Sequence, residues 1–156
     1  MDPMLNGLLT ALHALGAVVW VGGMVFAHMA LRPAAIETLE PPRRLALWNA
    51  VLPRFFAWVW VSMIALDVTG FVMIFESFGG FANVGPSVHA MAGLGLVMTA
   101  LFVFLFFVPY RAFRAALAAG ELERAAARQA VVRRIVVTNM VLGLVTVVIG
   151  SAGRFW

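Results

Sequence analysis

The sequence predicts an all-α integral membrane protein, a four-helix antiparallel transmembrane bundle with both termini outside. Three observations carry this prediction: the composition, four long apolar runs and a one-sided distribution of arginine. Of the 156 residues, 63% are hydrophobic and 12% are charged, and the mean hydropathy is +0.99. Soluble domains are only about 45–50% apolar and carry about 25% charged residues. The chain therefore belongs in a bilayer.

Four apolar runs are long enough to cross the hydrocarbon core, for which about 20 residues are needed. They cover residues 5–31, 53–75, 88–108 and 131–151. Backbone groups cannot stay unpaired in lipid, so each run is expected to be helical. We expect the four spans to form a single transmembrane domain that takes up residues 1–156.

The arginines predict how the bundle is oriented. Ten of the eleven lie in or beside the first and third connections: Arg32, Arg43, Arg44, Arg54, Arg111, Arg114, Arg124, Arg128, Arg133 and Arg134. The second connection, 76–87, has none. Basic loops stay on the cytoplasmic side, which predicts a multi-pass protein of a bacterial-type inner (plasma) membrane. On so apolar a chain, these charges indicate contact with anionic lipid and not with nucleic acid.

Proline and glycine predict the form of the connections. Pro53 begins the second run, and proline inside a helix removes a backbone hydrogen bond. We therefore expect a kink or break there, with residues 42–52 forming a short interfacial helix. The third connection, 110–134, is rich in helix-forming residues, and Gly120 is expected to mark the turn of a helical hairpin.

Four ionisable side chains in or beside the spans are the first candidates for function, because such groups are costly in lipid and mark functional sites. With a helical rise of about 1.5 Å per residue, His13 and Asp67 lie at a similar depth, roughly 12 Å from the outer boundary. His89 begins the third span near the outer interface. His28 lies near the inner boundary, where a structural or lipid-facing role is expected, so it ranks lowest as a ligand.

The first functional interpretation is a haem b site in the outer half of the bundle. Haem iron takes axial imidazoles, and helix bundles hold cofactors between facing helices. His13 and His89 are the leading axial ligands, and Met91 is the substitute. Asp67 would hydrogen-bond a ligand's second nitrogen or a bound water. This predicts redox chemistry or electron transfer near the outer face, with a redox partner or a quinone; any enzyme activity would be that of an oxidoreductase.

The second interpretation is a copper-binding or copper-transport protein. The chain has nine methionines, and thioether and imidazole ligands suit Cu(I). His89, Met91 and His13 would form this site, with His28 as a weaker candidate. Methionine is also a common apolar filler, and a lone histidine near a helix end is often structural. A third interpretation is therefore a non-catalytic accessory subunit in a homo-oligomer or a larger membrane complex.

Several function classes are excluded by residues that the chain lacks. Without cysteine it can form neither disulfides nor thiolate metal sites. Every basic residue is arginine, which removes Schiff-base lysine chemistry. HExxH, P-loop, GxSxG and dinucleotide-binding motifs are all missing. A hydrolase is therefore not expected.

The first span resembles the opening helix of the CopD-like membrane family. That pattern is a leucine-histidine pair, here Leu12-His13, followed by a tryptophan and paired small residues, here Trp20 and Gly22-Gly23. A basic loop, Thr69-Gly70 in the second span and Arg133-Arg134 before the last are compatible with it. The resemblance implies copper handling, because larger CopD proteins are implicated in copper uptake across the inner membrane.

A more distant similarity is to HemJ, a family of four-helix protoporphyrinogen oxidases that bind haem b. Its first-helix histidine corresponds to His13. Its third helix begins with a histidine-x-lysine motif, which here is His89-Ala90-Met91. Met91 replaces the lysine, so this resemblance implies haem binding but does not extend to protoporphyrinogen oxidation.

Overall fold

A computed structural model describes residues 2–155, apart from the side chain of Arg154. Four long helices dominate it: α1 (Pro3–Thr38), α2 (Pro41–Ser77), α3 (Pro86–Ala118) and α4 (Leu122–Ala152). Single 3-10 turns, Phe81–Asn83 and Gly153–Phe155, complete the helical structure. The described residues contain no strand, and all four helices are long and apolar enough to cross a membrane. The predicted all-α membrane fold is confirmed.

Neighbouring helices run antiparallel. The start of α1 meets the end of α2, where Ser77 donates a 3.2 Å hydrogen bond to Asn6, and further along α1 Gly16 packs against Leu66. In α3 and α4, Met98 contacts Asn139. The ten arginines of the first and third connections therefore gather at one end of the bundle, called here the arginine-rich end. Which membrane face this end occupies stays a prediction.

The predicted break at Pro53 is not found. α2 continues from Pro41 through Pro53 as one helix, so residues 42–52 are not a separate interfacial helix. Proline still removes one helical hydrogen bond, but its ring is exposed. Leu45, Leu52 and Phe56 are buried on both sides of it, and this packing holds the helix together.

Three helical turns are widened to π geometry: Ala27–Leu31, Met73–Ser77 and Phe106–Tyr110. The first ends where Pro33 follows, and the third contains Pro109. A proline ring clashes with the carbonyl four residues earlier in a regular α-helix, and an inserted residue relieves that clash. The widened turns let α1 and α3 continue past their prolines.

The arginine-rich end extends beyond the predicted spans as a packed hairpin of α3 and α4. Gly120 has φ +73°, a left-handed conformation that favours glycine, and the Glu121 amide donates to the Ala116 carbonyl at 3.0 Å. Phe113 and Ala125 are fully buried between the two helices. The turn predicted at Gly120 is confirmed.

Candidate functional site

Polar side chains form a seam between α1 and α2 in the half of the bundle opposite the arginine-rich end. Beyond the Asn6–Ser77 contact, the Thr10 hydroxyl donates to the Asn6 carbonyl at 2.8 Å and lies 3.6 Å from Met73 Sδ. One turn deeper, His13 meets Thr69. The seam therefore leads from the helix ends to the first intramembrane histidine.

The surroundings of His13 fix which ring nitrogen carries the proton. Its Nδ1 lies 2.9 Å from Thr69 Oγ1, and the Thr69 hydroxyl proton is donated to the Ala65 carbonyl at 2.6 Å. The Leu66 carbonyl also lies beside the ring. Because these neighbours offer acceptors, Nδ1 is the protonated nitrogen of the neutral ring. Nε2 then keeps its lone pair, which is the state of a metal-binding imidazole whose other nitrogen is held by the protein.

The seam is closely packed around this ring. Thr69 is buried, and a Cβ at Gly70 would lie 3.3 Å from His13 Cε1, tighter than most such contacts. A turn deeper, a Cβ at Gly16 would lie 3.0 Å from Leu66 Cγ. Small residues on both helices thus let α1 and α2 approach and fix the position of the ring.

Asp67 faces a different helix from Thr69. Thr99 of α3 donates a 3.1 Å hydrogen bond to Asp67 Oδ2, so the partner of His13 Nδ1 is Thr69 and not Asp67. The reason is helical geometry: two residues along a helix turn its face by about 200°. Asp67 is still close enough to His13 for their charges to interact. The cluster His13, Thr69, Asp67 and Thr99 therefore links three helices.

His89 and Met91 lie apart from this cluster. His89 is exposed; its Nδ1 donates to the Gly85 carbonyl at 3.1 Å, and its ring centre lies 5.8 Å from that of Phe81. Met91 packs on α4, where a Cβ at Gly150 would lie 2.6 Å from its Sδ.

The described residues show no hydrogen bond or ring contact between His13 and His89. Within the same part of the chain, no group of three or more histidine, aspartate and glutamate side chains could hold a metal ion. His13, His89 and Met91 thus each contact a different partner, and their role as haem or copper ligands stays a prediction. His28 is at the opposite end, half-buried beside Arg32 in a cavity.

The hydrophobic core of the bundle holds a feature that the sequence interpretation missed. Each helix contributes one buried methionine, 2–9% exposed, to a core of 17 buried side chains among the described residues: Met24 of α1, Met63 of α2, Met98 of α3 and Met140 of α4. Methionine count alone gave no sign of this arrangement, because spans that are apolar on every side do not reveal which face points inward.

Asn139 lies in the same core and was also missed. It is 2% exposed, and its Nδ2 donates to the Met98 carbonyl at 3.1 Å. Its Oδ1 is the one buried side-chain nitrogen or oxygen without a hydrogen-bond partner in the described part of the chain. Such an acceptor needs a physical explanation, commonly a water or an ion. The signal available in the sequence was a lone amide inside an apolar span.

The CopD family model, described as copper resistance protein D, matches residues 49–152. The chain belongs to the CopD family. The match confirms the resemblance indicated by the first span, and it makes this CopD protein a multi-pass membrane protein of a copper-resistance family. No curated protein and no solved structure matched the chain.

The matched region divides the candidate residues of this CopD protein. It contains most of α2 and all of α3 and α4, and therefore three of the buried methionines, Asn139, the Asp67–Thr99 pair, and His89 with Met91. His13, Met24 and His28 lie before it, on α1. The central core and the polar seam are thus both built where α1 packs against the matched helices.

Proposed function

We propose that this CopD-family protein binds Cu(I) in the centre of its helix bundle and passes it across the membrane. The observation that carries the proposal is the set of four buried methionines, one from each helix, in one core cluster. Thioether sulfur is a soft, neutral ligand that favours Cu(I) over harder cations. Membership of the copper-resistance family supports the same metal as cargo.

The histidines supply earlier ligands on the proposed route. His13 precedes Met24 by eleven residues on α1, about 16 Å along the helix axis. Its Nε2 has the lone pair that a Cu(I) ligand needs, because Thr69 holds Nδ1. His89, exposed at the start of α3, would receive the ion first, at the end of the bundle opposite the arginine-rich end. Met91 is a further thioether between His89 and the core.

Two oxygen groups support passage of a cation. A charge inside the hydrocarbon region is costly unless it is compensated. The Asp67 carboxylate, close to His13, supplies one negative charge on the route. The unpartnered Oδ1 of Asn139 supplies a dipole beside Met98 at the core.

Cu(I) titration of the purified protein in detergent, in competition with bicinchoninate under reducing conditions, tests the proposal. Met63→Leu/Met98→Leu is the test variant, because methionine and leucine have similar volumes. Met4→Leu/Met29→Leu, which alters two exposed methionines, is the matched control.

We expect the wild type and the control to bind Cu(I) equally and the core variant to bind at least about tenfold more weakly, about 1.4 kcal/mol. Equal binding by the core and control variants, or no binding by the wild type, would contradict the proposal. Cu(I) uptake into proteoliposomes containing the same variants then separates transport from storage.

A haem b protein is the second candidate, and the geometry of His13 favours it. An imidazole with Nδ1 held and Nε2 available is suited to be an axial ligand, and the bound haem would supply one-electron redox chemistry. The fit is partial: His89 does not meet His13, and the α1–α2 seam is closed around the ring. The absorption spectrum of the purified protein tests this candidate. A Soret band that is lost in His13→Ala would establish haem binding. No Soret band in the wild type after haem supplementation would exclude haem binding.

A further inference from the structure

A cavity of about 40 Å³ lies at the arginine-rich end, between α1, α2 and α4. This volume exceeds the roughly 10–15 Å³ that one water needs. Its walls are mostly apolar, including Leu52, Phe55, Val132 and Val136. Four polar side chains also line it: His28, Arg32, Gln129 and Arg133. An apolar cavity rimmed by two arginines is unlike the copper route, which uses soft ligands in the core.

Helical spacing brings these polar groups to the cavity from two sides. His28 and Arg32 are four residues apart on α1, and Gln129 and Arg133 are four residues apart on α4, so each pair shares a helix face. The π turn Ala27–Leu31, in which the Arg32 amide donates to the Ala27 carbonyl, lies within the α1 pair. It adds a residue to the turn and so sets the direction in which Arg32 leaves the helix.

Arg32 and Arg133 are both half-buried. Neither has a carboxylate within ion-pair distance among residues 2–155, where the one ion pair joins Arg124 and Glu121. A partly buried charge without a counter-charge is unfavourable. The guanidinium fork matches the two oxygens of a phosphate particularly well. The cavity is thus lined in part by two arginines that have no carboxylate partner among the described residues.

We propose that this cavity binds the phosphate group of an anionic phospholipid. Its volume of about 40 Å³ is far too small for a whole lipid, so the acyl chains stay in the surrounding bilayer. Its apolar walls and its place at the end of membrane-spanning helices favour a lipid phosphate over a free one. Basic pockets between transmembrane helices recognise anionic headgroups in this way. The inference is independent of the proposed copper function.

Lipid titration monitored by native mass spectrometry of the full chain in detergent tests the proposal. The probes are phosphatidylglycerol, phosphatidylcholine and inorganic phosphate. Arg32→Gln/Arg133→Gln removes both cavity arginines. Arg128→Gln/Arg134→Gln removes the same charge from exposed arginines that do not line the cavity, and it is the matched control.

We expect phosphatidylglycerol to bind the wild type and the control with similar affinity and the cavity variant about thirtyfold more weakly, since each arginine contributes about fivefold. An equal loss of phosphatidylglycerol affinity in both double variants would overturn the proposal, because the lipid would then be attracted by the overall positive charge of the surface and not by the cavity. Equal affinity for phosphatidylcholine would overturn it too. Inorganic phosphate that binds the wild type as tightly as phosphatidylglycerol does would exclude lipid as the source.

A second variant keeps the test valid if the loss of both arginines prevents folding. Val136→Phe fills part of the cavity and leaves every charge in place. We expect it to weaken phosphatidylglycerol binding at least about fivefold while the protein stays monodisperse on size exclusion. Unchanged binding in this folded variant would overturn the proposal.

Discussion

Thr99 donates a hydrogen bond to the Asp67 carboxylate across 3.1 Å and thereby joins α3 to α2 within the bundle. Both side chains are half-buried, so water competes only in part for the carboxylate. A half-buried carboxylate needs a hydrogen-bond donor, and Thr99 supplies one. The pair connects the polar seam of α1 and α2 to the second half of the molecule.

Thr99→Val keeps the side-chain shape and removes this donor. We expect it to lower the free energy of unfolding by about 0.5–2 kcal/mol, the usual range for hydrogen bonds between helices in membranes. Thr138→Val is the control, because the Thr138 hydroxyl bonds only within its own helix, to the Arg134 carbonyl. Reversible unfolding in mixed micelles measures the unfolding free energy of both variants. Equal losses of unfolding free energy would argue against a structural role for the Asp67–Thr99 pair.

Thr69→Val tests the positioning of His13. The variant loses the acceptor 2.9 Å from Nδ1, which fixes both the tautomer and the ring. Loss of such a partner commonly weakens metal binding about 10–100-fold, and we expect the Cu(I) affinity of His13 itself to fall within that range while the methionine core keeps its affinity. Thr69→Ser restores the hydroxyl and should restore the affinity. A Thr69→Val variant with wild-type copper affinity would show that His13 does not depend on this contact.

Gly143→Ala tests the close approach of α1, α3 and α4. A Cβ at this position would lie 2.8 Å from Val21 Cγ2 and 3.1 Å from Met98 Cε. Because overpacking moves neighbouring helices, we expect a loss of about 1–3 kcal/mol in unfolding free energy. Gly93→Ala is the control, since no heavy atom lies within 4 Å of its added Cβ. There, alanine should stabilise the helix by up to about 1 kcal/mol.

Asn139→Leu separates stability from function. It removes the unpartnered Oδ1, whose burial costs about 1–3 kcal/mol, along with the bond from Nδ2 to the Met98 carbonyl. We therefore expect stability to be equal to or greater than that of the wild type, and Cu(I) affinity to fall about tenfold, about 1.4 kcal/mol. Unfolding and Cu(I) titrations on the same preparation measure the unfolding free energy and the Cu(I) affinity. A large loss of stability would instead identify Asn139 as structural.

Orientation in the membrane can be tested directly, because the chain has no cysteine. A single cysteine at Ser77 or at Ala119 marks opposite ends of the bundle. The arginine distribution predicts that a membrane-impermeant maleimide added to intact cells labels Ser77→Cys, and that Ala119→Cys is labelled only after lysis. The reverse pattern would place the arginine-rich end outside.

The sequence predicted those parts of the fold that follow from local physics. The four apolar runs became helices, because lipid leaves the backbone no alternative. Gly120 forms the hairpin turn, because the turn requires a φ of +73° and glycine adopts that conformation without steric strain. The third span was expected to end at residue 108 and to be followed by a helical hairpin, and α3 continues as a helix to Ala118. Phe113 and Ala125 pack against each other's helices beyond that point, and hydropathy cannot register such contacts.

The candidate site was predicted less well, for a different physical reason. His13 and Asp67 were expected at similar depth, and their charges interact in the structure. The partner of His13 is Thr69, however, because helix rotation and not depth decides which side chains meet. Asn139 and Met140 escaped notice because a helix surrounded by lipid and by apolar neighbours has no polar face to mark its inner side.

The four core methionines have a consequence for acidic surroundings. A thioether carries no proton that must leave before a metal binds, whereas an imidazole must be neutral to act as a ligand. As the pH falls, Cu(I) bound by Met24, Met63, Met98 and Met140 would therefore keep all its ligands. On the proposed route, copper already held in the core would stay bound in acid.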